Sequence, residues 1–279
     1  MILAAGPWAP SMAQSSLTVA ASLVAILAYA VALVEHDRLA WAVRWSLPVG
    51  WVAQGLAIVL DTSGYGAAQG GARFGFAPAL SVTSWLVLAV YAIESRQVPL
   101  PGVRRVLAVL GMSAVALALV FPGEVRPHLD SAWMPLHWVL GIASYGLFGA
   151  AVLHAALLTG AERQMRGPRA AAQAAPLGLP ILKLEKLTFR FVEAGFVVLS
   201  AALLLGWWYA SPWRWDHKTL FSILAWLVFA GLLAGRRAFG WRGRMATRWI
   251  YTGAVLLLFA YVGSRFVLEV LLTRAAGPV

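Results

Sequence analysis

The sequence contains no cysteine. Disulfides, thiol–disulfide exchange and thiolate metal sites are therefore excluded. Charge is scarce: 12% of the chain is Asp, Glu, Lys or Arg, where a soluble domain carries about 25%. Acid is scarcer still, with 11 Asp and Glu against 22 Lys and Arg, a net charge of +11. Carboxylate pairs on helices, HExxH or other paired-His spacings, a P-loop and a nucleophile elbow are all missing, so nothing points to hydrolysis or phosphoryl transfer. A small-molecule transporter would need a polar path through the spans, and Gln54 and Glu193 alone make a poor one.

What remains is apolar. Of the 279 residues, 61% are hydrophobic, and a spanning helix needs about 20 such residues in a row. Eight stretches qualify: 17–35, 41–60, 76–95, 104–121, 132–159, 188–209, 218–235 and 247–268. Arg44, Pro48 and Gln54 interrupt the second, and the fifth is long enough to project past a bilayer. No basic n-region precedes Leu17, so the first stretch reads as a span and not as a cleaved signal. The expectation is an all-α, polytopic integral membrane protein with eight transmembrane helices in one membrane domain over 1–279. Most connections are short; the one from Gly160 to Leu187 is expected to be flexible and solvated.

The excess of basic residues could suggest nucleic acid, but they sit in short connections between apolar runs, which is a topology signal; no nucleic-acid partner is expected. Sixteen of the 22 Lys and Arg fall in the connections after helices one, three, five and seven, among them Arg163, Lys186, Arg236, Arg242 and Arg244. The positive-inside rule then places both termini outside, together with the loops before helices five and seven. Gly240-Trp241-Arg242-Gly243-Arg244 is a tight basic turn on the opposite side, read as a topology anchor with anionic-lipid binding as the alternative.

Tryptophan is unevenly distributed. Trp207, Trp208, Trp213, Trp215 and Trp226, five of the 14 in the chain, fall within 20 residues. An interfacial aromatic belt explains isolated tryptophans. A cluster beside Arg214, Asp216, His217 and Lys218 also suits a flat, hydrophobic, anionic ligand. The two readings weigh evenly on these residues alone.

Among the histidines, His137 lies at the outer start of the fifth span, between Trp133 and Trp138. A neutral imidazole there can ligate a metal, including haem iron; the plainer alternative is an interfacial histidine bonded to water or backbone. Gly141, Ser144, Tyr145 and Phe148 follow at helical spacing as a packing face. His154 is 17 residues on, about 25 Å deeper at 1.5 Å per residue, so it shares no metal with His137 and reads as an inner-side polar residue. His217 is the second candidate ligand or hydrogen-bond donor. His36 reads as a cytoplasmic loop residue and His128 as an outer one. Lys186, Arg190 and Glu193 share a helix face, read as snorkelling side chains or as an ion-pair network. Arg265 and Glu269 form an i, i+4 pair.

Three stretches carry a family resemblance. Trp213-Arg214-Trp215-Asp216-His217-Lys218-Thr219 through Trp226 resembles the Trp-rich WWD segment of the cytochrome c assembly family, the CcsA/CcmC type of haem-handling membrane protein. Leu129 to Tyr145 is similar to that family's helix with an outer-face histidine, here His137, and Arg236 to Gly263 to its last turn and helix. These stretches cover roughly the C-terminal half, 126–279; the four helices over 1–125 match only in apolar character. His217 stands where the family has Pro, Thr219 where it has Glu, and Gly235-Arg236 and Ser264-Arg265 where it has histidines. The pattern resembles most the divergent YpjD/HemX-like subgroup.

The resemblance implies a multi-pass protein of the bacterial inner membrane that presents haem on its outer face during cytochrome c biogenesis. It implies haem b as cofactor, with His137 as axial ligand and a second ligand unassigned. Trp207, Trp208, Trp213 and Trp215 would pack on the porphyrin, Asp216 would orient the loop, and Arg214 or Lys218 would meet a propionate. This is chaperoning and not turnover, so no enzyme is expected. Partners would be membrane lipid, haem and other maturation proteins. The alternative is a haem-free regulatory or scaffold membrane protein of the same fold, acting through the connection from Gly160 to Leu187.

Overall fold

A computed structural model of the chain describes residues 15–34, 40–63, 72–94, 101–126, 133–165, 181–209, 215–263 and 266. Each predicted apolar stretch is a helix: α1 (Ser16–Ala32), α2 (Ala40–Thr62), α3 (Phe76–Glu94), α4 (Pro101–Val120), α5 (Trp133–Met165), α6 (Ile181–Tyr209), α7 (His217–Phe239) and α8 (Gly243–Leu258). Seven are long and apolar enough to cross a membrane; α1, equally apolar, has 17 residues. The chain is thus a helical, polytopic membrane protein. At 33 residues α5 spans about 50 Å against a hydrocarbon core of about 30 Å, and so overshoots as expected.

Two details depart from the sequence reading. Pro48 lies inside α2 without breaking it, as membrane helices tolerate when neighbouring groups re-satisfy the backbone. The helices are also joined by a short antiparallel ladder, β1 (Ala72–Phe74) with β2 (Glu124–Arg126), in which Arg73 faces Val125. Three-residue strands carry too little alternation to be legible in sequence.

The described residues form two compact units. The first holds α1 to α4 and the ladder. Its centre is Tyr29, which is fully buried. A Cβ on Gly50 of α2 would lie 2.7 Å from the Tyr29 ring, and one on Gly111 of α4 would lie 2.9 Å away. The ring therefore fits only because both positions lack a side chain. The Tyr29 hydroxyl donates to Gln54 Oε1 at 2.6 Å, and Gln54 Nε2 donates to the Ser81 carbonyl at 3.0 Å and to the Ser84 hydroxyl at 3.0 Å. Gln54 thus ties α1, α2 and α3 together; it is a cross-link and not part of a polar path. Trp51 and Trp85 stack at 4.8 Å, each indole N–H donating to the other's backbone carbonyl. At one end, the buried Arg73 pairs with Asp61 at 3.4 Å.

The second unit holds α5 to α8. Phe148 of α5 stacks on Phe229 of α7 at 3.9 Å. Phe229 in turn fits against Gly253 of α8, where a Cβ would approach it to 2.6 Å. Phe189, Val192, Leu232 and Ile250 complete the core. Where hydrocarbon surrounds the bundle, burying apolar surface gives little drive for helix association; close packing and interhelical hydrogen bonds supply it. Small residues opposite rings are the means here.

Gln54→Leu removes one acceptor and two donors from the first unit and leaves the buried Tyr29 hydroxyl without Gln54. In detergent it is expected to lower the stability by about 1–2 kcal/mol, read as a lower midpoint of thermal unfolding. An unchanged midpoint would show that the network holds nothing together.

Candidate functional site

α5 and α6 run antiparallel along a seam of small residues. Phe148 faces Gly195, where a Cβ would lie 3.1 Å from its ring, and His137 faces Gly206, where a Cβ would lie 3.0 Å from Cε1. The step from His137 to Phe148 along α5 equals that from Gly206 back to Gly195 along α6, so one register accounts for both contacts. Of the face read in sequence as packing, Ser144, Tyr145 and Phe148 pack, while a Cβ on Gly141 would meet nothing within 4 Å: Ser144 is buried, its hydroxyl donating to the Gly141 carbonyl, and the Tyr145 hydroxyl donates to the Leu257 carbonyl of α8.

The same register fixes the chemistry of His137. Its Nδ1 lies 3.0 Å from the Ala202 carbonyl of α6. A carbonyl only accepts, so Nδ1 carries the proton and Nε2 the lone pair. That is the arrangement usual for ligating histidines, whose second nitrogen donates to a carbonyl or carboxylate that fixes ring and tautomer. Ala202 and Gly206 are one turn apart on α6, the first holding the ring by its backbone and the second making room for it. Neither was singled out in sequence, although small residues spaced by four just ahead of Trp207-Trp208 are a readable signal of close helix approach.

Trp207 and Trp208 follow Gly206 on the last turn of α6, 64% and 83% exposed. The hairpin to α7 brings Trp215, Asp216, His217 and Lys218 to this same end. Its register is set by Trp226, whose indole donates to the Ser200 hydroxyl at 2.8 Å while its ring stacks on Phe196. Trp226 therefore belongs to the helix seam. Trp215, Asp216 and His217 are exposed. Asp216 is the N-cap of α7: its carboxylate accepts from the backbone N–H and from the hydroxyl of Thr219, each at 2.8 Å. Partial burial raises its pKa, but those two hydrogen bonds and the nearby Lys218 and His217 outweigh it, and the carboxyl sits below its ordinary value of 3.8. Lys218 lies over the ring of Tyr261 at 5.4 Å. Tyr261 comes from a π-helical turn, Phe259–Gly263, that ends α8; such turns insert a residue and are frequent at functional sites.

One end of the second unit thus gathers His137, Trp207, Trp208, Trp215, Asp216, His217 and Lys218. Trp213 and Arg214 lie outside the described residues, as do His36, His128, Arg265 and Glu269. His154, read in sequence as an inner-side polar residue, is buried within the bundle, with Nδ1 bonded to the Ala150 carbonyl one turn back and its ring against Phe191. Lys186, Arg190 and Glu193 are all exposed, which fits snorkelling and not an internal network.

Among the described residues no group of three or more His, Asp or Glu side chains could hold a metal ion. A haem needs no such group, because the macrocycle supplies the equatorial nitrogens and the protein only axial ligands. A single oriented imidazole beside exposed indoles and a cation fits that demand.

Comparison with known proteins identifies the family. The family described as Cytochrome C assembly protein matches residues 74–272. The match begins at β1 and takes in α3 and α4, which the sequence resemblance had left out. The inner membrane protein YpjD of Escherichia coli K12 is 33% identical over 162 residues, 56% of this chain and 60% of that protein. A cytochrome c biogenesis protein CcsA from a Synechococcus strain is 28% identical over 221 residues, covering 66% of this chain and 72% of the relative. The chain thus spans less than two thirds of the length of YpjD. No solved structure matches. With seven helices fit to cross a bilayer, the chain is a multi-pass inner-membrane protein.

The Asp216 cap makes a pH-dependent prediction. A carboxyl whose folded pKa is depressed stabilises the fold above its unfolded pKa, and that contribution is lost as pH falls through the folded value. At pH 7, Asp216→Ala should cost about 1 kcal/mol, the usual worth of an N-cap. Thermal unfolding of the two proteins should converge as pH drops below 3.8. A gap that persists there would mean the side chain acts by something other than its charge.

Proposed function

The chain belongs to the cytochrome c assembly protein family, and from that premise we propose that it binds haem and presents it on the outer face of the inner membrane during cytochrome c biogenesis. The observation that carries the proposal is the hydrogen bond from His137 Nδ1 to the Ala202 carbonyl, with Gly206 making room for the ring. It sets the neutral tautomer with the lone pair on Nε2, the nitrogen that would ligate iron.

In this reading His137 would be the residue that holds the iron of haem b. Trp207, Trp208, Trp213 and Trp215 would pack on the porphyrin. Lys218 or Arg214 meets a propionate, His217 offers a second nitrogen at the same end, and Asp216 holds the tip by capping α7. The bound haem supplies an iron centre that accepts a nitrogen ligand. The protein's part is to bind, orient and hand on, with no covalent step of its own. Both termini and both loops that frame the site are outside, and the partners are haem, membrane lipid and other maturation proteins.

Protein purified from haem-replete membranes should show a Soret band, and His137→Ala should abolish or strongly shift it. Gly206→Val should weaken it by crowding the ring, while Trp207→Ala and Trp208→Ala should lower haem retention without removing the band. No Soret absorbance in the parent, or an unchanged band in His137→Ala, overturns the ligand. Because the chain has no cysteine, Ser131→Cys and Ser211→Cys report topology without background. Both should react with an impermeant maleimide from the periplasmic side, and labelling from opposite sides would break the site apart.

A further inference from the structure

We propose that the opposite end of the second unit, built from the end of α5, the start of α6 and the α7–α8 turn, is a binding surface for anionic phospholipid headgroups. Four helix ends meet there. Arg242 Nε lies 3.4 Å from Glu185 Oε1 of α6. The Arg236 guanidinium sits 3.5 Å over the Phe189 ring. A Cβ on Gly243 of α8 would lie 3.2 Å from Glu162 Oε1 of α5. Glu162, Glu185 and Glu193 are the acids at this end, and Arg242 engages Glu185.

The cations far outnumber them. Lys186, Arg190, Arg237, Arg244 and Arg248 are all exposed, and none forms a salt bridge among the described residues. Like charges gathered this closely repel unless an outside anion neutralises them. Arginine forks suit phosphate oxygens in particular. The α7–α8 turn is closely packed: Gly240 adopts the left-handed conformation at φ 64°, and Trp241 packs into the notch left by Gly235, stacked on Phe239 and tilted against Trp249.

Apolar side chains decide between a lipid and an acidic protein. Phe239 and Leu182 are 77% and 72% exposed beside these cations, and Met245 is exposed between Arg244 and Arg248. They lie at helix ends, where a span leaves the hydrocarbon. An amphiphile with acyl chains and a phosphate in one molecule satisfies both sets of groups. The charge count places this end in the cytoplasmic leaflet, where anionic lipid attracts basic segments.

The test uses the full chain in neutral detergent, with phosphatidylglycerol and phosphatidylcholine as probes and native mass spectrometry as readout. The wild type should retain phosphatidylglycerol in preference to phosphatidylcholine, and lose it as salt is raised. Combining Arg237→Gln, Arg244→Gln and Arg248→Gln should weaken phosphatidylglycerol binding on the order of a hundredfold, from about fivefold per cation near an anionic surface. Lysine at the same positions should largely restore it. Equal retention of the two lipids or no salt dependence in the wild type overturns the proposal, and these outcomes need no variant to fold. Full displacement of lipid by millimolar inorganic phosphate would make this a phosphate site, and displacement by an oligoglutamate peptide a protein-docking surface; either overturns it too.

Discussion

Within each of the two units of this protein, rings seated in glycines hold the helices together. Two membrane helices gain little by hiding apolar surface from each other, since lipid is as apolar as leucine. Close approach must come from shape. Tyr29 lies against Gly50 and Gly111, Phe148 against Gly195, Phe229 against Gly253 and Trp241 against Gly235. His137 against Gly206 is one more member of this set. The imidazole is part of the α5–α6 packing, and the packing that holds the helices also sets its tautomer. Site and scaffold therefore cannot be varied independently at Ala202, Gly206 or His137.

Polar groups divide by position along the helices. In the middle they are turned inward and bonded, as in the array of Tyr29, Gln54, Ser81 and Ser84, the Ser144 hydroxyl and the buried His154. An unbonded polar group at that depth would cost several kcal/mol. At the ends, polar and aromatic groups are exposed and open to partners. One end of the second unit collects indoles, two histidines and a lysine; the other collects arginines. The two ends suit different ligands: a flat hydrophobic anion at the first, and phosphate headgroups at the second.

Much of this was legible in the chain. Twenty-residue apolar runs are a strong signal because a bilayer demands them, so the eight helices and the overlong α5 followed directly. The clustering of Trp207, Trp208 and Trp215, and the place of His137 at the start of its helix, marked one end of the bundle. Other features depend on contacts distant in sequence. Gln54 and Pro48 read as interruptions of α2, yet Gln54 is satisfied by residues 25 to 30 positions away and the helix runs on. His154 read as an inner-side polar residue, and only the structure shows its nitrogen met by its own helix and its ring by Phe191. The β ladder and the π-helical turn leave no periodic trace long enough to detect.

Composition and spacing by themselves determined that this chain is a bundle of membrane helices and which residue types gather at each end. Those are one-dimensional properties, set by hydrophobic length and by where charge falls. Only the tertiary structure decided that α5 and α6 meet in the register that puts His137 over Gly206 and under the Ala202 carbonyl. Register is a relation between two helices, fixed by which small residue admits which ring, and neither helix carries that information alone.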